Sequence, residues 1–226
     1  MKKIIIVCEG QTEEAFVNRL LYNEFWRKEV FLEPRLIPTS PRRKGGGLNR
    51  RLVFRFLRHA LLEQNNTYVT TFFDLYSLPK DLHELENISA TTDPLDRATI
   101  IEAAFHKAVV RKVRCRPERF FPHIQPHEFE ALLFSDTNRF VEVEPEWKAF
   151  AGKLASIRES SKSPEYINDG VNTHPSARLQ KLLHPGYKKV TDGIKISTKI
   201  GLACMRSECQ HFDGWLRRIE NLPTLD

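Results

Sequence analysis

The chain has 226 residues and only four cysteines. Cys8, Cys115, Cys204 and Cys209 form no Cys-x-x-Cys pair, so neither a zinc ribbon nor a disulfide framework is signalled. The segment from Cys204 through Cys209 to His211 lacks the second half of a zinc ligand set. Cys8 reads as a buried free thiol. No apolar run is long enough to span a bilayer, and no membrane partner is expected. Lys2 and Lys3 precede only a short apolar stretch broken by Glu9. No secretory leader is therefore expected, and a reducing cytoplasm is the expected setting. Repeats, low-complexity tracts and composition breaks are also missing. The expectation is one domain over 1–226, with a sheet core over about 1–136 and a helical part over about 137–226.

The N-terminus carries the strongest signal. Lys3-Ile4-Ile5-Ile6-Val7-Cys8 is β-branched and does not alternate, as expected of a strand buried on both faces in a parallel sheet. It stops at Glu9-Gly10-Gln11-Thr12-Glu13-Glu14, and Phe16, Val17, Leu20 and Leu21 then follow at helical spacing. Gly10 suits a sharp strand-to-helix turn, and Thr12 is a good N-cap. The turn has no Gly-Lys-Ser/Thr and no Gly-x-Gly-x-x-Gly, so nothing in it cradles nucleotide phosphates. Glu9 instead closes the strand at the edge where open α/β sheets place ligands.

Two further strands end in acids. Tyr68 to Phe73 ends at Asp74, and Pro79 then stops further pairing. Arg119 to Gln125 leads into Pro126-His127-Glu128-Phe129-Glu130-Ala131-Leu132-Leu133-Phe134, which predicts a helix with Pro126 near its start. Between these runs the pattern predicts a helix over 14–28 and a short strand at 35–37. A second helix carries Leu52, Phe56, Leu57 and Leu61, and a third opens at Asp93-Pro94. This alternation predicts a Rossmann-like α/β fold with a parallel sheet flanked by helices. From about 137 onward the pattern is helical, with Trp215 and Leu216 as expected core.

Parallel strands would bring Glu9, Glu13, Asp74, Glu128 and Glu130 to one edge. Clustered acids repel one another, and their hard oxygens suit Mg²⁺ or Mn²⁺. The competing reading is that Glu9 and Glu13 are helix-start charges favoured by the dipole. Residues two apart do not share a helix face, so only one of Glu128 and Glu130 is expected to point into the site.

The formal net charge is +6, and the excess is patchy. Arg42-Arg43-Lys44-Gly45-Gly46-Gly47-Leu48-Asn49-Arg50-Arg51 is one patch, and Lys188-Lys189 is another. A basic rim around an acidic centre fits a phosphodiester substrate. Glycine also exposes main-chain N–H groups to phosphate. Arg42, Arg43, Lys44, Arg50, Arg51, Lys188 and Lys189 are therefore the expected nucleic-acid contacts. Arg111 to Arg116 reads as a cap of the helix before it.

Val7-Cys8-Glu9-Gly10-Gln11-Thr12-Glu13, Thr70 to Pro79, and His127 to Phe134 resemble the bacterial domain of unknown function 4276. The resemblance continues through Pro175 to Leu179, His184 to Lys189, Ile200 to Leu202 and Cys209 to Leu216, covering nearly the whole chain. It implies a divergent branch of the Toprim fold, which serves topoisomerases, primases and the overcoming-lysogenization-defect nucleases. It also implies company with ABC-type ATPases in anti-phage systems. By position, Glu9 resembles the Toprim strand-end glutamate, and Glu13 the second acid of the nuclease branch's Glu-Gly-x-x-Glu. Asp74 resembles the first acid of Asp-x-Asp. Tyr76 stands where the second aspartate belongs, and Glu128 or Glu130 is a candidate replacement. The nuclease branch uses a lysine on transition-state charge. Lys195 and Lys199 are the candidates, against a reading of both as solvated surface residues.

His127 beside Glu128 is a candidate ligand or proton shuttle, whereas His123, His174 and His211 read as ordinary hydrogen-bonded residues. Ser176 has no third partner at readable spacing, so a hydrolytic triad is not supported. Two functions compete. One is a Mg²⁺-dependent Toprim-like nuclease acting on DNA or RNA, with Glu9 and Asp74 catalytic. The other is a non-catalytic subunit that binds an ABC-type ATPase or nucleic acid. Tyr76 favours the second, and the retained acids favour the first. Homo-oligomerisation is left open.

Overall fold

Strand β1 (Lys2–Cys8) runs through the middle of a parallel sheet, with β2 (Val30–Leu36) on one side and β3 (Thr67–Asp74) on the other. The computed structural model describes residues 1–38, 48–83, 93–167 and 173–225. Beyond β3, the short strands β4 (Phe120–Phe121) and β5 (Ile124–Gln125) pair in turn with its two halves. Pro122 has no N–H to give the ladder. The Thr71 side chain spans the gap, its Oγ1 lying 3.0 Å from the His123 nitrogen and 2.9 Å from the His123 oxygen.

Alternate residues serve two cores. Ile4, Ile6 and Cys8 of β1 join Tyr68 and Phe72 of β3 on one face. Ile5 and Val7 join Val69 and Phe73 on the other. The second face is covered by α3 (Arg50–Glu63) and α5 (Pro94–Val113), with the short α4 (Lys80–His83) near α5. The first is covered by α1 (Gln11–Phe16), a π-helical stretch over Val17–Leu21, α2 (Tyr22–Trp26) and the C-terminal helices. These last are α6 (Phe140–Val143), α7 (Ala151–Glu159), α8 (Pro175–Leu182), α9 (Lys189–Ile200), α10 (Leu202–Glu208) and α11 (Gln210–Asn221). Trp215 and Leu216 are buried there as expected.

Several expectations need correction. The helix expected over 14–28 begins at Gln11 and passes through a π-helical stretch that keeps both Val17 and Leu21 buried. Strand β2 is longer than 35–37. Its Pro34 and partly exposed Glu33 and Arg35 disguise it, as suits an edge strand. The run from Pro126 to Phe134 is not an α-helix. His127 adopts a left-handed φ of 62°, Glu128 is extended, and only Phe129–Ser135 coils, as a 3₁₀ helix.

Candidate acidic active site

The turn after β1 is built around Glu13. Gly10, rather than Thr12, is the N-cap of α1, and its N–H donates to Glu13 Oε2 at 2.9 Å. Gly10 has an ordinary negative φ of −134°. Space is what the position demands, since a Cβ there would lie 2.9 Å from Glu13 Oε2. Glu9 and Asp74 close adjacent parallel strands on the same edge. Glu9 Oε2 accepts from the Asp74 N–H at 3.3 Å and from the Ser77 hydroxyl. Asp74 Oδ1 accepts from the Phe129 N–H at 2.8 Å.

Glu128 and Glu130 both reach this edge, against the expectation of one. The extended backbone at Glu128 and the 3₁₀ geometry after it remove the helix-face restriction. Glu128 is anchored by the Ser176 N–H at 2.9 Å, the Ser176 hydroxyl at 3.1 Å and His174 Nδ1 at 3.0 Å. Ser176, His174 and Glu128 do not form a relay triad, because one nitrogen, His174 Nδ1, faces both the hydroxyl and the acid. Buried Glu130 accepts from Lys189, whose Nζ lies 3.3 Å from Oε1, and from the Tyr187 hydroxyl at 3.5 Å.

The electrostatics are those of crowded, desolvated acids. Burial pushes the Asp74 carboxyl well above its ordinary value, and Glu13, Glu9, Glu130 and Glu128 add to the rise. Burial lifts Glu13 to about 7, with Glu9 and Glu130 contributing. Burial also raises Glu9, against the hydrogen bonds from Ser77 and Asp74, and raises Glu130, against the pull of Lys189. Burial opposes the charge on Lys189, but Glu130, Glu128 and Asp74 together hold its pKa above the ordinary value. Among the described residues, no three of these carboxylates bring one oxygen each within 4.8 Å of one another.

The lysine expectation is corrected. Lys189, the first residue of α9, faces the acids, whereas Lys195 and Lys199 are exposed further along that helix. Lys199 Nζ pairs with Glu142 at 3.5 Å, and Lys195 lines a groove with Arg19 and Ile194. Lys188 is exposed. Arg50 and Arg51 open α3, and Arg50 stacks over Phe54 at 5.4 Å. Arg42, Arg43 and Lys44 lie outside the described residues. Arg111 and Lys112 occupy the last turn of α5, as expected of a cap. Tyr76 is 44% exposed at the rim, its ring 5.7 Å from that of His174 and 6.1 Å from that of His127. Sequence reasoning did not single out Ser77 or Tyr187, and it placed Lys189 in a nucleic-acid-binding patch with Lys188 rather than among the acids. Only the three-residue step from Asp74 to Ser77 offered a signal.

A family profile described as Domain of unknown function (DUF4276) matches residues 8–220. The chain belongs to this family. No curated protein and no solved structure was found to match it. The span shared with DUF4276 includes all five acids, Lys189, and the Ser176 and His174 that anchor Glu128. No helix among the described residues is long and apolar enough to cross a membrane.

Proposed function

We propose that this DUF4276 protein is a metal-dependent phosphodiesterase acting on nucleic acid, with Mg²⁺ or Mn²⁺ at the acidic edge. The carrying observation is the convergence of Glu9, Glu13, Asp74, Glu128 and Glu130 around one lysine, Lys189, at the carboxyl ends of parallel strands. An all-oxygen anionic donor set with raised carboxyl pKa values fits a hard divalent cation. The spacing of the acids suits Mg²⁺ in particular, because that ion keeps several of its waters. When bound, the ion polarises a phosphoryl group and acidifies water. Glu9 and Asp74 are the expected direct ligands, held by main-chain N–H groups, with Glu13, Glu128 and Glu130 completing the anionic cup. Lys189 supplies a cation for charge that develops on the phosphate oxygens. A Toprim-like ancestry and an anti-phage role beside an ABC-type ATPase belong to this proposal.

The test is incubation of the purified protein with plasmid DNA and with total RNA under Mg²⁺ or Mn²⁺. It is run with and without any ABC-type ATPase encoded beside it. Cleavage that disappears in Asp74→Asn supports the reading. Tyr76 at the second-aspartate position favours the alternative, a non-catalytic binding subunit. No cleavage under any condition, together with stable binding of the ATPase or nucleic acid, would establish that alternative.

A further inference from the structure

A second cluster of chemically capable side chains lies away from the acidic edge. Glu102 on α5, His123 between β4 and β5, and His211 on α11 each offer one atom, and these atoms lie within 4.8 Å of one another. Glu102 Oε1 lies 2.8 Å from His211 Nε2, 2.7 Å from the Ile124 nitrogen and 3.6 Å from His123 Nδ1. The group forms part of the wall of a cleft of about 510 Å³, which Asp93, Asp96 and Arg218 also line.

The orientation of the His123 ring is fixed by a chain of contacts. The N–H groups of His211 and Phe212 donate to Glu165 at 2.9 and 3.0 Å. Glu165 Oε1 in turn accepts from Gln125 Nε2 at 3.4 Å, which orients the Gln125 amide. Its oxygen then faces His123 Nε2 at 3.4 Å, so that nitrogen carries the proton. His123 Nδ1 faces Glu102 Oε1 at 3.6 Å, beyond ordinary hydrogen-bonding distance. Nδ1 and the carboxylate oxygen are thus two potential ligand atoms that face each other in the cleft wall without closing on one another. The Trp215 ring, stacked 4.5 Å from His123 at 7°, prevents the imidazole from turning away.

We propose that Glu102, His123 and His211 bind a borderline divalent transition metal of the Zn²⁺ class. Two imidazoles and one carboxylate are the donor types such ions prefer over Mg²⁺. Gln125 and Glu165 act as the outer partners that fix the ligand ring. Donors sharing a tetrahedral ion lie about 3.4 Å apart. Glu102 Oε1 and His123 Nδ1, 3.6 Å apart, already suit that spacing, and binding needs Glu102 and His211, now 2.8 Å apart, to part by about half an ångström. The ion would displace the proton between His211 and Glu102, and the cleft leaves a fourth position to water. It would tie together three elements distant in sequence: α5, the β4–β5 link and α11.

The experiment uses untagged protein with excess Mg²⁺ occupying the acidic edge, titrated with Co²⁺ and with Zn²⁺. One equivalent of Co²⁺ should give visible d–d bands in the wild type and in Asp74→Asn, but not in His211→Gln. Zn²⁺ at ten times its dissociation constant should raise the wild-type melting temperature, and Glu102→Gln should abolish that rise. A third measurement needs no variant: imidazole proton resonances of two of the eight histidines should shift stoichiometrically with Zn²⁺. Absence of the bands in the wild type, their persistence in His211→Gln, or shifts at other histidines would each overturn the proposal. None of these outcomes bears on nucleic-acid cleavage, which fails or survives with Asp74.

Discussion

The main-chain nitrogen of Asp74 donates to the side chain of Glu9, at 3.3 Å from Oε2. Asp74 Oδ1 is held in the same way by the Phe129 N–H. Each acid is thus aimed by backbone that its own charge does not disturb. Amide substitutions keep an oxygen for these N–H groups and remove only the charge, so charge and geometry can be separated by mutation.

Asp74→Asn should raise the melting temperature of the metal-free protein by about 2 °C or more, because it removes one charge from a repelling group. The upward shift caused by Mg²⁺ in the wild type should disappear. Cleavage should fall on the order of a hundredfold or more. Scanning calorimetry with and without Mg²⁺ checks this, and a lower metal-free melting temperature would mark Asp74 as a structural acid.

The pH dependence of stability has a defined sign. Burial lifts Glu13 from its ordinary 4.5 to about 7 in the fold, so its protonated form favours folding. That contribution is complete below pH 4.5 and is lost as pH rises through about 7. The loss is on the order of 3 kcal/mol for this group alone. Glu102 behaves oppositely. Although burial opposes its charge, His123 and His211 bring it down to about 2, so its contribution fails only below pH 4.5. Urea unfolding without metal should therefore show stability falling between pH 5 and pH 8, with Mg²⁺ cancelling the fall. A flat profile over that range would contradict the assignment.

Lys189→Met should reduce cleavage on the order of 10² to 10³ fold, as expected for loss of one group on developing charge. Lys195→Ala and Lys199→Ala should stay close to wild type, because neither faces the acids. Comparing single-turnover rates of the three variants at saturating Mg²⁺ decides between α9's first residue and its later lysines.

Gly10→Ala places a methyl 2.9 Å from Glu13 Oε2 and should push the carboxylate off its cap. The expected loss is about 1 kcal/mol, or roughly 2–4 °C in melting temperature, together with weaker Mg²⁺ binding. An unchanged melting temperature would mean that Glu13 swings aside without penalty.

Alanine at Arg42, Arg43 and Lys44 should weaken nucleic-acid binding evenly across sequences. It should also flatten the log–log salt dependence by about one unit per lost phosphate contact. Binding at several salt concentrations checks this. Identical slopes would assign the run to solvent or to docking of a protein partner.

The legible part of the site is the part carried by strand ends. β1 and β3 are apolar runs that stop at an acid, and a parallel sheet necessarily places such stops on one edge. Glu128 and Glu130 were legible as candidates but not as a pair, because the left-handed turn at His127 has no glycine or asparagine to announce it. Lys189 was hidden by its neighbour Lys188, since two adjacent lysines look like surface charge until α9 orients one of them inward. The Glu102, His123 and His211 group has no local spacing at all, and only the packing of α5 and α11 onto the β4–β5 link brings it together.

Strand β1 is made well before the helix α11 that packs against it. Ile4, Ile6 and Cys8 share one buried cluster with Phe212, Leu216 and Ile219 of α11. Trp215 Nε1 donates to Thr70 at 3.0 Å, and the Tyr68 hydroxyl donates to the Pro223 carbonyl at 2.9 Å. During synthesis that face of the sheet therefore stays incompletely covered until α11 has cleared the ribosome. Glu9 and Asp74 are translated before α11, yet the sheet that carries them gains its full scaffold only once α11 has been made. Release of a product truncated before Gln210 would leave an exposed apolar sheet face rather than a smaller folded domain.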